Sequence, residues 1–327
     1  MRFASVKDRA GTHRAGAVTS TGSGLALVEL DTLAAAAGIT PAPTLLAFIE
    51  QTAPEDLSRL RGLDLAALPA LPLDDAEWQP PVRRPSKVMG VAINNRGAAD
   101  TAYFISEHPA LFTSPPSAMI GHGQAIELKA EYGLTHPEAE IAVVIGRRTK
   151  DVSVDDALGA VFGYTIVNDV TSVDLKSGDS VVFDLSSIAT AGGEREGGRP
   201  AGFEHTPGDT MQLTYHARSK GTDTFTPIGP WIVTPDEVGD PNDLFVHLSM
   251  NGTLYTKDST SSLRNSIAQV ISFASRYFTL LPGDVIHMGT AVSGAVRLRD
   301  LDFQVYDGPC SIEIEKIGEL SNPVVRR

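Results

Sequence analysis

One cysteine, Cys310, stands in a chain of 327 residues. That excludes an internal disulfide framework and any zinc cluster built from thiolates. Long hydrophobic runs are missing too. Nowhere do 18 apolar residues follow one another, so no membrane-spanning helix is expected. The opening residues, MRFASVKDRAGTHRAGAV, hold no apolar stretch of the kind a secretory signal carries. Basic residues are short relative to acidic ones, 27 Lys and Arg against 40 Asp and Glu, for a net charge of −13. A field of that sign repels phosphate backbones and anionic lipid. It argues against nucleic-acid and membrane-surface partners and makes cation binding a natural chemistry. What is present is ordinary: 42% hydrophobic and 20% charged residues, enough to bury a large core. The expectation is an acidic cytoplasmic protein.

The first 40 residues read as short strands, RFASVK, RAGAV and LALVEL, between glycine-rich turns. Thr44 can cap a helix over TLLAFIEQ, and Pro54 can open another, PEDLSRLRGL. Pro69, Pro72, Pro80, Pro81 and Pro85 then forbid helix and central strand, which places a linker near residues 69–86. This divides the chain into a small N-terminal α+β module, 1–82, and a larger part, 83–327. The larger part is mostly β: VMGVAI, EIAVVIG, FGYTIVND, LFVHLSMNG, DVIHMGT and SIEIEKIG are strand-like. Ser153 with Asp156 resembles a capping box. Leu263, Ile267, Val270, Ile271, Ala274 and Phe278 recur at helical spacing. Strands do not alternate regularly with helices, so the fold class is α+β rather than a doubly wound sheet. Residues 177–219, rich in glycine and holding His205 and His216, read as a long insertion or lid.

Four constellations could carry chemistry. In His136-Pro-Glu138-Ala-Glu140-Ile, strand alternation puts Glu138 and Glu140 on one face, about 7 Å apart. Two such carboxylates repel unless water or a hard cation lies between them. Taken alone, the pair fits better an edge strand with a solvated acidic face. Asp169 ends the apolar run GYTIVND, a position that suits a ligand or a turn cap. Lys220 precedes a Pro/Gly-rich turn and could stabilise developing negative charge, or simply be a surface cation. In LPGDVIHMGT, Gly289 and Thr290 offer backbone and hydroxyl donors, while His287 reads as a core residue of an apolar strand.

The order and spacing of these motifs resemble the fumarylacetoacetate hydrolase family, from about Val88 to Leu320. GVAINNR, PSAMIGHG, HPEAEIAVVIGR, FGYTIVNDVT, DTFTPIGPWIVTPDEV, MNG, FTLLPGDVIHMGT and IEIEKIG carry the resemblance. It implies a mixed β-roll with flanking helices, a homodimer, and action on 2-oxo or 2,4-dioxo acids. It implies Glu138, Glu140 and Asp169 as ligands of Mg²⁺ (Mn²⁺ or Ca²⁺ being acceptable), with Lys220, Gly289 and Thr290 on the substrate. Four positions depart from the family pattern. Ala98 stands where a water-activating histidine is expected, Ser114 where a lysine is, Val173 where an arginine is, and Lys176 where a glutamine is common.

Three functions are compatible with these residues. The first is a metal-dependent hydrolase splitting a C–C bond of a 2,4-dioxo acid or related β-dicarbonyl compound, with His216 ranked first as replacement base. His205, Asp100, Glu107 and His108 stand behind it. The second is a lyase or isomerase (decarboxylase, dehydratase or tautomerase) on a 2-oxo acid with the same metal site. It needs no attacking water, so Ala98 matters less. The third is a degenerate member that binds a ligand without turnover.

Overall fold

The structure is a computed structural model. It describes the chain apart from residues 23, 103–104, 185–209 and 293–299. A twelve-stranded sheet runs through it, centred on Thr226–Val233, Val161–Asn168 and Ala139–Ile145. Beyond these come Val285–His287, Val88–Ala92 and Ala110–Ser114 on one side. On the other side Arg2–Lys7 pairs antiparallel with Thr226–Val233, setting Arg2 against Val233 and Phe3 against Ile232. His13–Thr21 and Gly24–Glu29 continue the sheet outward.

Residues 1–82 therefore share sheet and core with residues 83–327. Phe3, Phe48 and Phe162 meet with ring centroids 5.3 to 6.4 Å apart. One core layer joins Leu33, Phe48 and Leu60 to Val144, Ile232 and Val285. The opposite layer lies between the large sheet and a five-stranded sheet containing Phe245–Met250 and Pro309–Ile314. The Ile267–Tyr277 helix presses Val270, Ile271 and Ala274 into that layer. This is the α+β arrangement of large mixed sheets expected from the strand-rich sequence.

Local chemistry explains most elements. Thr44 accepts from the Ala47 N–H, Ser153 from the Asp156 N–H, and Pro54 opens its helix, as their residue types dictate. Two readings need correction. LALVEL is followed by a helix, Leu30–Ala37, and not by more strand. The run LDTLAAAA has high helix propensity and buries Leu30, Leu33 and Ala34 at helical spacing. The later helix starts only after Ser266, whose capping box with Gln269 fixes the boundary downstream of Leu263.

Candidate functional site

The decisive element is Ala139–Ile145, buried along its whole length. It is no edge strand: Val161–Asn168 pairs on one side and Val285–His287 on the other. Its alternation sends Ile141 and Val143 into one core layer and Ala142 and Val144 into the other. Glu140 has the parity of Ala142, so its carboxylate is carried into the interior, 2% exposed. Glu138, just before the strand, keeps 16% of its side chain exposed at a cavity.

That cavity measures about 880 Å³ and brings together sequence-distant groups. Glu138, Glu140, Asp169, Lys220, Thr290 and His216 all line it. Asp169 arrives at the end of Val161–Asn168, and Lys220 on the short Ala217–Gly221 helix. The Lys220 ammonium lies 3.3 Å from Glu138 Oε2, pairs with Asp169, and donates to Thr171 Oγ1 at 2.7 Å. Thr171 in turn donates to Glu138 Oε1 at 2.9 Å. Gly289 is not among the described lining residues: its N–H donates to Glu140 Oε2 at 2.6 Å.

Burial sets the charge states. It opposes the Lys220 charge, but Asp169, Glu138 and Glu140 outweigh it and hold the pKa above the ordinary lysine value. Burial also pushes Glu138 toward its neutral form, yet Lys220, His136 and Thr171 bring its pKa below the usual carboxylate range. For Glu140 burial wins, and its pKa is raised. Glu138, Glu140 and Asp169 thus share one buried ammonium, with the His287 imidazole beside Glu140. Moreover, Asp169 Oδ1 is buried with no hydrogen-bond partner among the described residues. A carboxylate oxygen stripped of water and donors fits a divalent cation. Glu140, Asp169 and His287 each offer a donor atom, all within 4.8 Å of one another.

His287 is the site residue that the sequence alone does not reveal, because an apolar strand makes it look like a satisfied core histidine. It is fully buried, but its Nδ1 lies 2.7 Å from Glu140 Oε2 while its Nε2 has no partner among the described residues. The available signal is its place in a strand, DVIHMGT, whose neighbour in the sheet carries the acids. Only pairing across the sheet makes that signal readable.

The other candidates separate clearly. His216 is half-buried on the cavity wall, with Nδ1 3.3 Å from Ser219 Oγ and its ring 6.2 Å from Phe112. Burial lowers its pKa below the ordinary 6.5, and Lys176 and Lys220 act in the same direction. His108 stacks on Phe273 at 5.4 Å, and neither it nor Asp100 or Glu107 lines the cavity. His205 lies outside the described residues. Of the rewritten positions, Ala98, Val173 and Lys176 line the cavity, whereas Ser114 is buried at the end of the sheet's Ala110–Ser114 strand. Of the long insertion, the described parts include a hairpin, Ser180–Asp184 with Thr210–Thr214, that contributes Ser180, Gln212 and Thr214 to the cavity.

Comparison with known proteins gives the family. The profile of the fumarylacetoacetate (FAA) hydrolase C-terminal family matches residues 87–325. The chain belongs to this family. A 2,4-didehydro-3-deoxy-L-rhamnonate hydrolase of Sphingomonas sp. (strain SKA58) is 33% identical over 72% of this chain and 71% of the relative. A mitochondrial oxaloacetate tautomerase of Bos taurus is 30% identical over 86% and 80%. A solved maleylpyruvate hydrolase from Sphingobium sp. SYK-6, in complex with manganese(II) ion and pyruvate, is 27% identical. It superposes with a TM-score of 0.68 over 100% of this chain and 99% of that one. The fumarylacetoacetate hydrolase family is enzymatic and includes hydrolases, isomerases and tautomerases. Among the described residues no helix is long and apolar enough to cross a membrane.

Proposed function

We propose that this protein is a divalent-metal-dependent hydrolase that cleaves a C–C bond in a 2,4-dioxo acid or related β-dicarbonyl compound. One observation carries the reading: a half-buried histidine with a lowered pKa faces the same cavity as a buried ammonium and the carboxylate cluster. Glu138, Glu140 and Asp169 would hold Mg²⁺, with Mn²⁺ or Ca²⁺ as substitutes. When bound, the ion supplies Lewis acidity and a fixed positive charge for an oxo-acid. Lys220 would draw the substrate carboxylate and offset negative charge as the C–C bond breaks. Thr290, with Gly289 beside it, would orient the bound acid. His216, neutral near pH 7, would accept a proton from the attacking water. The hydrolase relatives support this reaction class. The same reading carries a homodimer acting in the cytoplasm on a small anionic oxo acid.

A second reading, a tautomerase or other lyase or isomerase on a 2-oxo acid, has its own support. The Arg96–Ala99 helix presents Ala98 to the cavity where water activation needs a base, and a tautomerase is among the relatives. Acylpyruvates and oxaloacetate, assayed side by side with Mg²⁺ and with EDTA, separate the two. Metal-dependent release of a carboxylic acid from an acylpyruvate is the expected result. Enol–keto exchange of oxaloacetate without C–C cleavage would overturn the hydrolase reading.

A further inference from the structure

We infer that His287 is a nitrogen ligand of the cation site, so that the site takes a borderline first-row ion (Mn²⁺, Fe²⁺, Co²⁺ or Zn²⁺) ahead of Mg²⁺. The inference rests on the proposed carboxylate site for a cation, and it adds His287 to that set.

The register places it. His287 pairs with Ala142, so its side chain shares the parity of Glu140 and enters the site from the neighbouring strand. Its ring is packed on two sides. Phe112 packs against it in a T-shaped contact at 5.4 Å. On the far edge, a Cβ on Gly90 would stand 2.4 Å from Cε1 and 2.6 Å from Nε2. Nε2 therefore faces backbone and aromatic ring, and Nδ1 is the atom turned toward the carboxylates.

Nδ1 lies 2.7 Å from Glu140 Oε2. Two lone pairs cannot rest at that separation without a proton or a cation between them. Asp169 Oδ1 is buried without a partner among the described residues, and a carboxylate oxygen of Asp169 falls within 4.8 Å of a donor atom on each of Glu140 and His287. Glu138 and Asp169 both also pair with Lys220. The site is thus a mixed one, carboxylates and an imidazole. Imidazole suits borderline transition ions, whereas Mg²⁺ keeps to oxygen ligands and water.

The test is Co²⁺ titrated into the purified full-length protein, read by visible absorption, with Mg²⁺ and Mn²⁺ affinities from calorimetry. His287→Asn keeps an N–H able to donate toward Glu140 but lacks the imidazole lone pair. Expected are tighter binding of Co²⁺ and Mn²⁺ than of Mg²⁺ by about tenfold or more, and a Co²⁺ spectrum that shifts in His287→Asn. The variant should lose about tenfold in Co²⁺ affinity and much less in Mg²⁺ affinity, a scale on which even groups supporting a metal act. An unchanged Co²⁺ spectrum and affinity would leave His287 a mere hydrogen-bond donor and overturn the inference, while the cation-site reading stood. If no divalent ion bound at all, both would fall. Should the variant fail to fold, pulsed electron paramagnetic resonance of the Mn²⁺-loaded wild type decides: directly coordinated nitrogen supports the assignment, and its absence overturns it.

Discussion

Glu138 and Glu140 are two positions apart, carry the same charge and line the same cavity, yet neutralising them should move stability in opposite directions. Glu140 has its pKa raised by burial. The folded protein keeps that proton at a pH where the unfolded chain has lost it, so this group's contribution is largest in acid and is lost as pH rises. Glu140→Gln should therefore raise the melting temperature of the metal-free protein at neutral pH. Glu138 has its pKa lowered: burial opposes its charge, but Lys220, His136 and Thr171 outweigh it. Its contribution is present above the ordinary 4.5 and is lost as pH falls. Glu138→Gln should lower stability by about 1–3 kcal/mol, because a buried ammonium loses one of its partners. Both should abolish activity. Thermal unfolding in EDTA across pH checks the signs, and a parallel drop in both variants would refute the assignment of charge states.

His216 gives a second residue-scale expectation. Burial lowers its pKa, so below 6.5 the unfolded chain takes up the extra proton first and stability falls as pH drops through that window. If it is the base, kcat/KM should fall on an acid limb with an apparent pKa under 6.5. His216→Ala should lose that limb together with most of kcat. Full kcat at every pH in the variant would remove His216 from the mechanism.

At the scale of elements, the site depends on how closely strands approach. Val88–Ala92 runs parallel to Val285–His287 with Gly90 opposite His287. A Cβ at Gly90 would meet Phe112 Cζ at 2.2 Å as well as the His287 ring. Gly90→Ala should thus cost about 1–3 kcal/mol by overpacking and weaken divalent binding by turning His287 away from Glu140. Gly22→Ala, with nothing within 4 Å, is the control and should be close to neutral. Mn²⁺ calorimetry and chemical denaturation of both variants measure this. Unchanged Mn²⁺ affinity in Gly90→Ala would show that His287 placement does not matter to the cation. The Leu30–Ala37 helix, favoured by its own alanines, is fixed on the sheet by burial of Leu30, Leu33 and Ala34.

For the whole molecule, the shared sheet ties the N-terminal residues to the stability of the rest. Removing residues 1–82 would strip Arg2–Lys7 from Thr226–Val233 and uncover Ile228, Ile232, Phe162 and Val144. Such a chain should lack a cooperative unfolding transition, since the exposed core surface has no other cover. A sharp two-state melt of residues 83–327 alone would show an independent unit instead. The full protein should gain stability with bound cation, about 2.7 kcal/mol at a hundredfold excess over Kd, and lose it again in EDTA.

Strand alternation, helix caps and charge are local properties, so they could be read from the chain itself. The sequence by itself determined that Glu138 and Glu140 share a parity, that Thr44, Ser153 and Pro54 begin helices, and that the Asp169 and Lys220 motifs come in family order. Only the tertiary structure decided what those acids do. It placed their strand in the middle of the sheet, where an acidic face cannot be solvated. It brought Lys220 to Glu138 and Asp169, and His287 to Glu140 across 147 residues of chain. Sheet order is set by long-range burial of apolar faces, and no periodicity along a single strand encodes which neighbour will lie beside it.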